Sequence, residues 1–189
     1  MTGPDPACHE LLLRLAGRLP DELLWRMRDW LAGGGREVIG ATLPRELLRH
    51  RVGLTDDERD LLEVAVGSAH PLLDAVLPAS APHDPPAAFH PGDRAVDTVA
   101  LAVLAVVRGH PGCVELRQCW RGGQRVVLVL GAERPWELAG TLQRLLRAHG
   151  DRTPCVEVLP PHGEPPAYHQ AAIIGSAPLW RSAAALVGA

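Results

Sequence analysis

The 189-residue chain contains no lysine and no asparagine, and only one phenylalanine (Phe89) and one tyrosine (Tyr168). All 19 basic residues are arginine. The codons for the missing residues are AT-rich. The absences therefore point to a very GC-rich bacterial genome rather than to a functional demand on the chain. A basic excess is also lacking. The net charge is −3, so no global positive field recruits nucleic acid or anionic lipid. No run of about 20 apolar residues occurs, which argues against a membrane span. The greasiest stretch, 96–107, is interrupted by Asp97 and Thr98. The first residues, Met-Thr-Gly-Pro-Asp-Pro, have no basic region followed by an apolar core, so a signal peptide is not expected. Cys8, Cys113, Cys119 and Cys155 are scattered and suit reduced thiols better than a disulfide framework. The expected location is cytoplasmic.

What is present is 47% hydrophobic and 22% charged, the balance of a folded globular chain. Its clearest internal boundary is Pro78 to Asp93, which holds five prolines and no apolar periodicity. Such a stretch reads as a semi-rigid spacer. Residues 1–77 carry nine Arg against thirteen acids, and residues 78–189 ten Arg against nine acids. The sequence thus divides into a helical region over 1–77, a linker over 78–93, a second region over 94–182, and a tail over 183–189 expected to be mobile.

The first region is helical throughout. Asp5-Pro6 opens one helix with a stripe at Cys8, Leu12, Leu15 and Leu19. Pro20-Asp21-Glu22 opens a second, ended by Gly33-Gly34-Gly35. A short third is predicted over Arg36–Thr42 and a fourth from Pro44 to about Arg51. Thr55-Asp56-Asp57-Glu58 is a capping box, in which the Thr and Glu side chains satisfy each other's free amides. A last short helix is expected over His70–Leu77. Together these elements make a small bundle.

The second region changes period. Val96, Val99, Ala100, Val103, Leu104 and Val107 form a helical stripe. Residues 113–120 alternate, with Val114, Leu116, Gln118 and Trp120 on one face. Arg125 to Leu130 is a continuous apolar run, as in a strand covered on both sides. Pro135 opens an amphipathic helix ending at Gly150, and Cys155 to Leu159 is a third strand. Tyr168 to Gly175 fits either a strand or a helix. The fold class is α+β: an N-terminal helical bundle followed by an α-β-β-α-β sandwich with helices on one face of a small sheet.

This second region resembles the C-terminal domain of the SseB (enhanced serine sensitivity) family. The matching features run from residue 96 to about 180. They are the apolar helix ending in Arg-Gly-His-Pro-Gly-Cys-Val, the hairpin Val-Glu-Leu-Arg-Gln-Cys-Trp with Arg-Val-Val-Leu-Val-Leu-Gly, the helix Trp136 to His149, the strand Pro-Cys-Val-Glu-Val-Leu and a closing Ala-Pro-Leu-Trp. The family's N-terminal α/β domain is replaced here by the helical region. The resemblance implies a non-enzymatic interaction module and carries no catalytic residue over to this chain.

Catalytic chemistry has few footholds. His110 and Cys113 are spaced for a thiol–imidazole pair, but nothing supplies an orienting group or an oxyanion hole. Cys119, and Cys155 on another strand of the same expected sheet, could join them at a metal. No Cys-x-x-Cys pair supports that, so no metal and no cofactor is expected. His162, Glu164 and His169 in one proline-rich loop, and His83, Asp84, His90 and Asp93 in the linker, read as solvated loop groups. The turn Gly131–Pro135 lacks the second glycine and the lysine of a phosphate loop. The helices over 36–51 and 55–69 could pass for a DNA-reading pair, but the second carries Asp56, Asp57, Glu58, Asp60 and Glu63 against Arg59 alone, where a basic recognition helix is needed.

The tryptophans say more. Trp25 lies among Arg26, Arg28 and Asp29, off the apolar stripe of its helix. Trp136 is off-stripe as well, and Trp180 ends the last apolar element. Such residues either pack on a neighbouring element or anchor a partner. Trp25, Arg28, Trp136 and Trp180 are therefore the candidate contacts of a protein partner. The functional expectation is a non-enzymatic adaptor or regulatory protein that binds a protein, neither nucleic acid nor membrane, with a homo-oligomer compatible with the same features. A small Cys/His metal-binding or thiol enzyme and a structural subunit of a larger bacterial assembly are the alternatives.

Overall fold

A computed structural model describes residues 3–67, 71–81, 87–92 and 96–183. The linker residues 82–86 and 93, with His83, Asp84 and Asp93, lie outside it, as does the tail from 184 onward.

The helical region begins with α1 (Pro4–Arg14), whose prolines fall in the first turn, where a missing N–H costs nothing. α2 (Asp21–Ala32) follows, with Asp21 and Glu22 at the positive end of its dipole. The two helices expected over 36–51 are one, α3 (Arg36–His50), with Pro44 in its interior. An interior proline costs about 3 kcal/mol. Ile39, Leu43 and Leu47 are fully buried around it, and each such side chain returns about 1.5–3 kcal/mol. Burial therefore carries the helix through the break. α4 (Asp56–Val66) starts with the expected capping box, closed from both Thr55 and Glu58. The buried Glu58 carboxylate also pairs with Arg18 at 2.6 Å. The short helix expected over 70–77 is absent: residues 71–75 are turns, and residue 70 is not described. Arg59 of α4 donates to the carbonyls of Leu73 and Val76, both at 2.8 Å. That bonding replaces a helical ladder, and both side chains remain buried.

Among the described residues the sheet has five strands: β1 (Phe89–His90), β2 (Glu115–Arg121), β3 (Gln124–Leu130), β4 (Cys155–Leu159) and β5 (Ala177–Arg181). β2 and β3 form an antiparallel hairpin with Leu116 opposite Val129 and Cys119 opposite Val126. Gly122 supplies the positive φ (58°) that its two-residue turn requires. β4 runs parallel to β3 after a crossover through α6 (Pro135–Ala148). β5 and β1 both pair antiparallel with the other side of β2. Part of the stretch read as a spacer is thus a strand, because β2 offers an unpaired edge to Phe89 and His90.

α5 (Thr98–Gly109) is capped by Asp97, which accepts from the Ala100 amide at 2.8 Å. α5 and α6 cover one face of the sheet, where Val103, Val107, Leu138 and Leu142 meet Leu116, Val127, Val129, Val156 and Val158. The segment undecided between strand and helix is α7 (Ala167–Ile174). It adds cover to the second face, where Ala172 meets Cys119, Val126, Leu128 and Cys155. The fold is α+β, as its element order predicted.

The two regions meet through a packed junction. α2 lies along α6, with Gly140 so close that a β-carbon there would fall 2.2 Å from the Cβ of Ala32. Arg144 pairs with Asp29 at 3.0 Å across the same seam. Tyr168 of α7 belongs to the core of the helical region, and Phe89 and Trp136 pack against that core.

Candidate functional site

Among the described residues β4 has a strand neighbour on one side only, so its outward carbonyls at Val156 and Val158 need partners. Side chains from the helical region supply them. Arg28 of α2 donates from Nη1 to Val156 O at 3.0 Å, and His9 of α1 donates from Nε2 to Val158 O at 2.8 Å. Burial first, and then the charge of Arg28, hold the His9 imidazole down at about 4, so it is neutral and its Nδ1 is unpaired.

Between these two carbonyls Glu157 points to the second face of the sheet, 1% exposed. Arg28, 2% exposed, grips it with both Nη atoms, at 2.8 and 2.7 Å. Arg28 Nη2 also donates to Leu12 O at 3.2 Å. His169 of α7 places its Nε2 at 2.8 Å from Glu157 Oε2. An ionised carboxylate only accepts, so this nitrogen carries the proton. Burial pushes the Glu157 carboxyl up, but Arg28 and the His169 hydrogen bond outweigh it and hold it at about 2. Beside this cluster Arg121 bonds the Tyr168 hydroxyl at 2.8 Å and pairs with Asp21.

Cys155, Glu157 and His169 are the residue types of a thiol triad in the wrong order. The Cys155 thiol faces Glu157 Oε1 at 3.6 Å, and the imidazole is committed to the same carboxylate. Burial and the adjacent Glu157 charge push that thiol well above its ordinary range. A protonated, enclosed thiol is a poor nucleophile. The arrangement is an internal fastening that ties α1, α2, β4 and α7 together.

The four metal candidates do not converge. Cys119 and Cys155 share the second face, but Val126 lies between them in register. Two strand spacings put them about 10 Å apart, too far to share one ion. Cys113 packs beside the core under α5, and His110 bonds the carbonyl of Glu133 at 2.7 Å. Burial raises the Cys113 thiol to about 11, and burial dominates the rise of Cys119 and Cys8 to about 12. Among the described residues no three His, Cys, Asp or Glu side chains are placed to hold a metal. The loop groups are apart as well: His169 is inside the Glu157 cluster, while Glu164 accepts from Gln170 at 3.1 Å.

The partner candidates are drawn inward to different degrees. Arg28 is a correction, because every bond it makes points into the molecule and it presents nothing to a partner. Trp25 is half-buried against α6, with the Arg147 guanidinium 4.6 Å from its ring centre. Trp136 packs on the helical core, 6.4 Å from the His9 ring. Trp180 sits opposite Leu116 in β5 and packs against the core beneath α5.

Large apolar side chains reach solvent at several places, Ile174 of α7 most of all, and on α5 one of them stands on a face that carries no charge. Leu101 is 53% exposed, and Ala105, one turn on, is exposed beside it. No charged residue stands between Asp97 and Arg108. A helix lying on a sheet ordinarily turns a polar face outward, and this one does not. Val96, read as part of the inner stripe, precedes the helix and is exposed. Among the described residues no helix is long and apolar enough to cross a membrane. No family model, no curated protein and no solved structure matches this chain.

Proposed function

We propose that this protein is a non-enzymatic cytoplasmic adaptor or regulatory module that works by protein association, with the outer face of α5 as its contact surface. The observation that carries the reading is the exposed apolar face around Leu101 on a helix whose inner face already satisfies the core. Two further points support it. The chain's strongest chemical groups, Glu157, Arg28, His169 and the Cys155 thiol, are enclosed and engaged with one another. The resemblance of residues 96–180 to the SseB C-terminal domain implies the same kind of role.

The test is Leu101→Arg, expressed in the native cell. Wild-type protein in a gently prepared extract is expected to sediment above its 20.3 kDa monomer mass, and the variant at it. Because position 101 faces solvent, the thermal midpoint should change by only about a degree or two. Wild-type protein found at monomer mass in the extract, and still monomeric when purified and concentrated, overturns the proposal.

A further inference from the structure

Exposure alone does not say what covers α5, but the arrangement of its outer face does. Leu101 and Ala105 stand one turn apart, a large side chain followed by a small one. The two ends carry opposite charge, Asp97 at the N-terminus and Arg108 at the C-terminus. Asp97 is bound by Arg125, yet its side chain is still 43% exposed and a carboxylate has further lone pairs to offer. Arg108 is exposed and makes no ion pair among the described residues.

Resting on the reading of α5 as an association surface, we propose that its occupant is α5 of a second copy of this chain, packed antiparallel about a twofold axis. An isologous contact requires a surface complementary to itself. With the axis level with Val103, Leu101 of each copy covers Ala105 of the other. The same register brings Arg108 of each copy beside Thr98 and Asp97 of the other, so the unpaired cation meets a carboxylate at both ends. Parallel packing is disfavoured by the same residues: it sets Leu101 on Leu101, Arg108 by Arg108 and Asp97 by Asp97. A twelve-residue helix is only about 18 Å long, and one helix face falls short of the roughly 800 Å² per partner of a standard interface. The dimer is accordingly weak, with Kd in the range of about 1–100 µM.

Sedimentation equilibrium of the purified full chain tests this. Wild type should show a reversible monomer–dimer equilibrium that salt weakens. Leu101→Arg should raise Kd at least about tenfold, and Arg108→Glu, which sets like charges together, should raise it several-fold. The register has its own readout. An equimolar mixture of Leu101→Cys and Ala105→Cys proteins, oxidised with oxidised glutathione, should yield chiefly the disulfide-linked heterodimer. Wild type serves as the background control for the native thiols. A monomer up to about 500 µM, a dimer indifferent to Leu101→Arg, or cross-linked homodimers in place of the heterodimer each overturn the proposal. A purified monomer together with large complexes in the native extract removes the second copy but leaves α5 as an association surface. Monomer mass in both removes both.

Discussion

Glu157 shows what a single misplaced charge demands. Each ion taken out of water costs several kcal/mol, which geometry must repay. Arg28 repays it by placing its Nη atoms on the Glu157 carboxylate and on the carbonyls of Val156 and Leu12. Glu157→Gln should cost about 3–5 kcal/mol, because it leaves a buried cation without its counter-ion. The double replacement Arg28→Met with Glu157→Leu should cost far less than that single change. Urea midpoints of the three proteins check both statements. Half of this site was legible in the sequence. A glutamate between two valines in the strand expected over 155–159 asks for a buried cation. What the sequence could not supply is which arginine, since Arg28 lies 129 residues away and its helical position looked like the polar face.

At the scale of elements, Gly140 of α6 lies hard against Ala32 of α2. Gly140→Ala should raise intrinsic helix propensity by up to about 1 kcal/mol. The new carbon has nowhere to go, and forcing the helices apart should cost about 1–3 kcal/mol, so a net loss is expected. Adding Ala32→Gly removes the opposing carbon and should restore much of the thermal midpoint. Elements with strong periods or caps, α1, α2, α4, α5, α6 and the three strands β2 to β4, could be read from residue order. β1 and β5 could not, because they are drawn into place by the open side of β2 rather than by an alternation of their own. α3 was split at Pro44 because local rules price the proline but not the three leucine and isoleucine side chains buried around it. The outward apolar face of α5 was likewise hidden: the residues are plainly greasy, but exposure depends on what the fold leaves uncovered.

For the whole molecule, acid acts on the junction in two stages. His9 has a depressed pKa, about 4 against 6.5, so the unfolded chain binds more protons between those values. Stability from this group is complete above about 6.5 and falls as pH drops toward 4. Glu157 follows the same sign, from 4.5 down to about 2. His9→Gln should flatten the first stage, on the order of 2–3 kcal/mol, and leave the second in place, as urea titrations at stepped pH would show. The junction also has a consequence in time. His9 and Arg28 are made first and their partners on β4 follow 149 and 129 residues later. At about 5–20 residues per second, Arg28 waits roughly 6–26 s for Glu157 to be synthesised. During that wait the helices α1 and α2 hold a cation and an imidazole that have no protein carbonyl or carboxylate of β4 to meet, so both must stay hydrated. The face that the nascent helical region later buries against β4 therefore carries a hydrated cation and a hydrated imidazole until that strand is made.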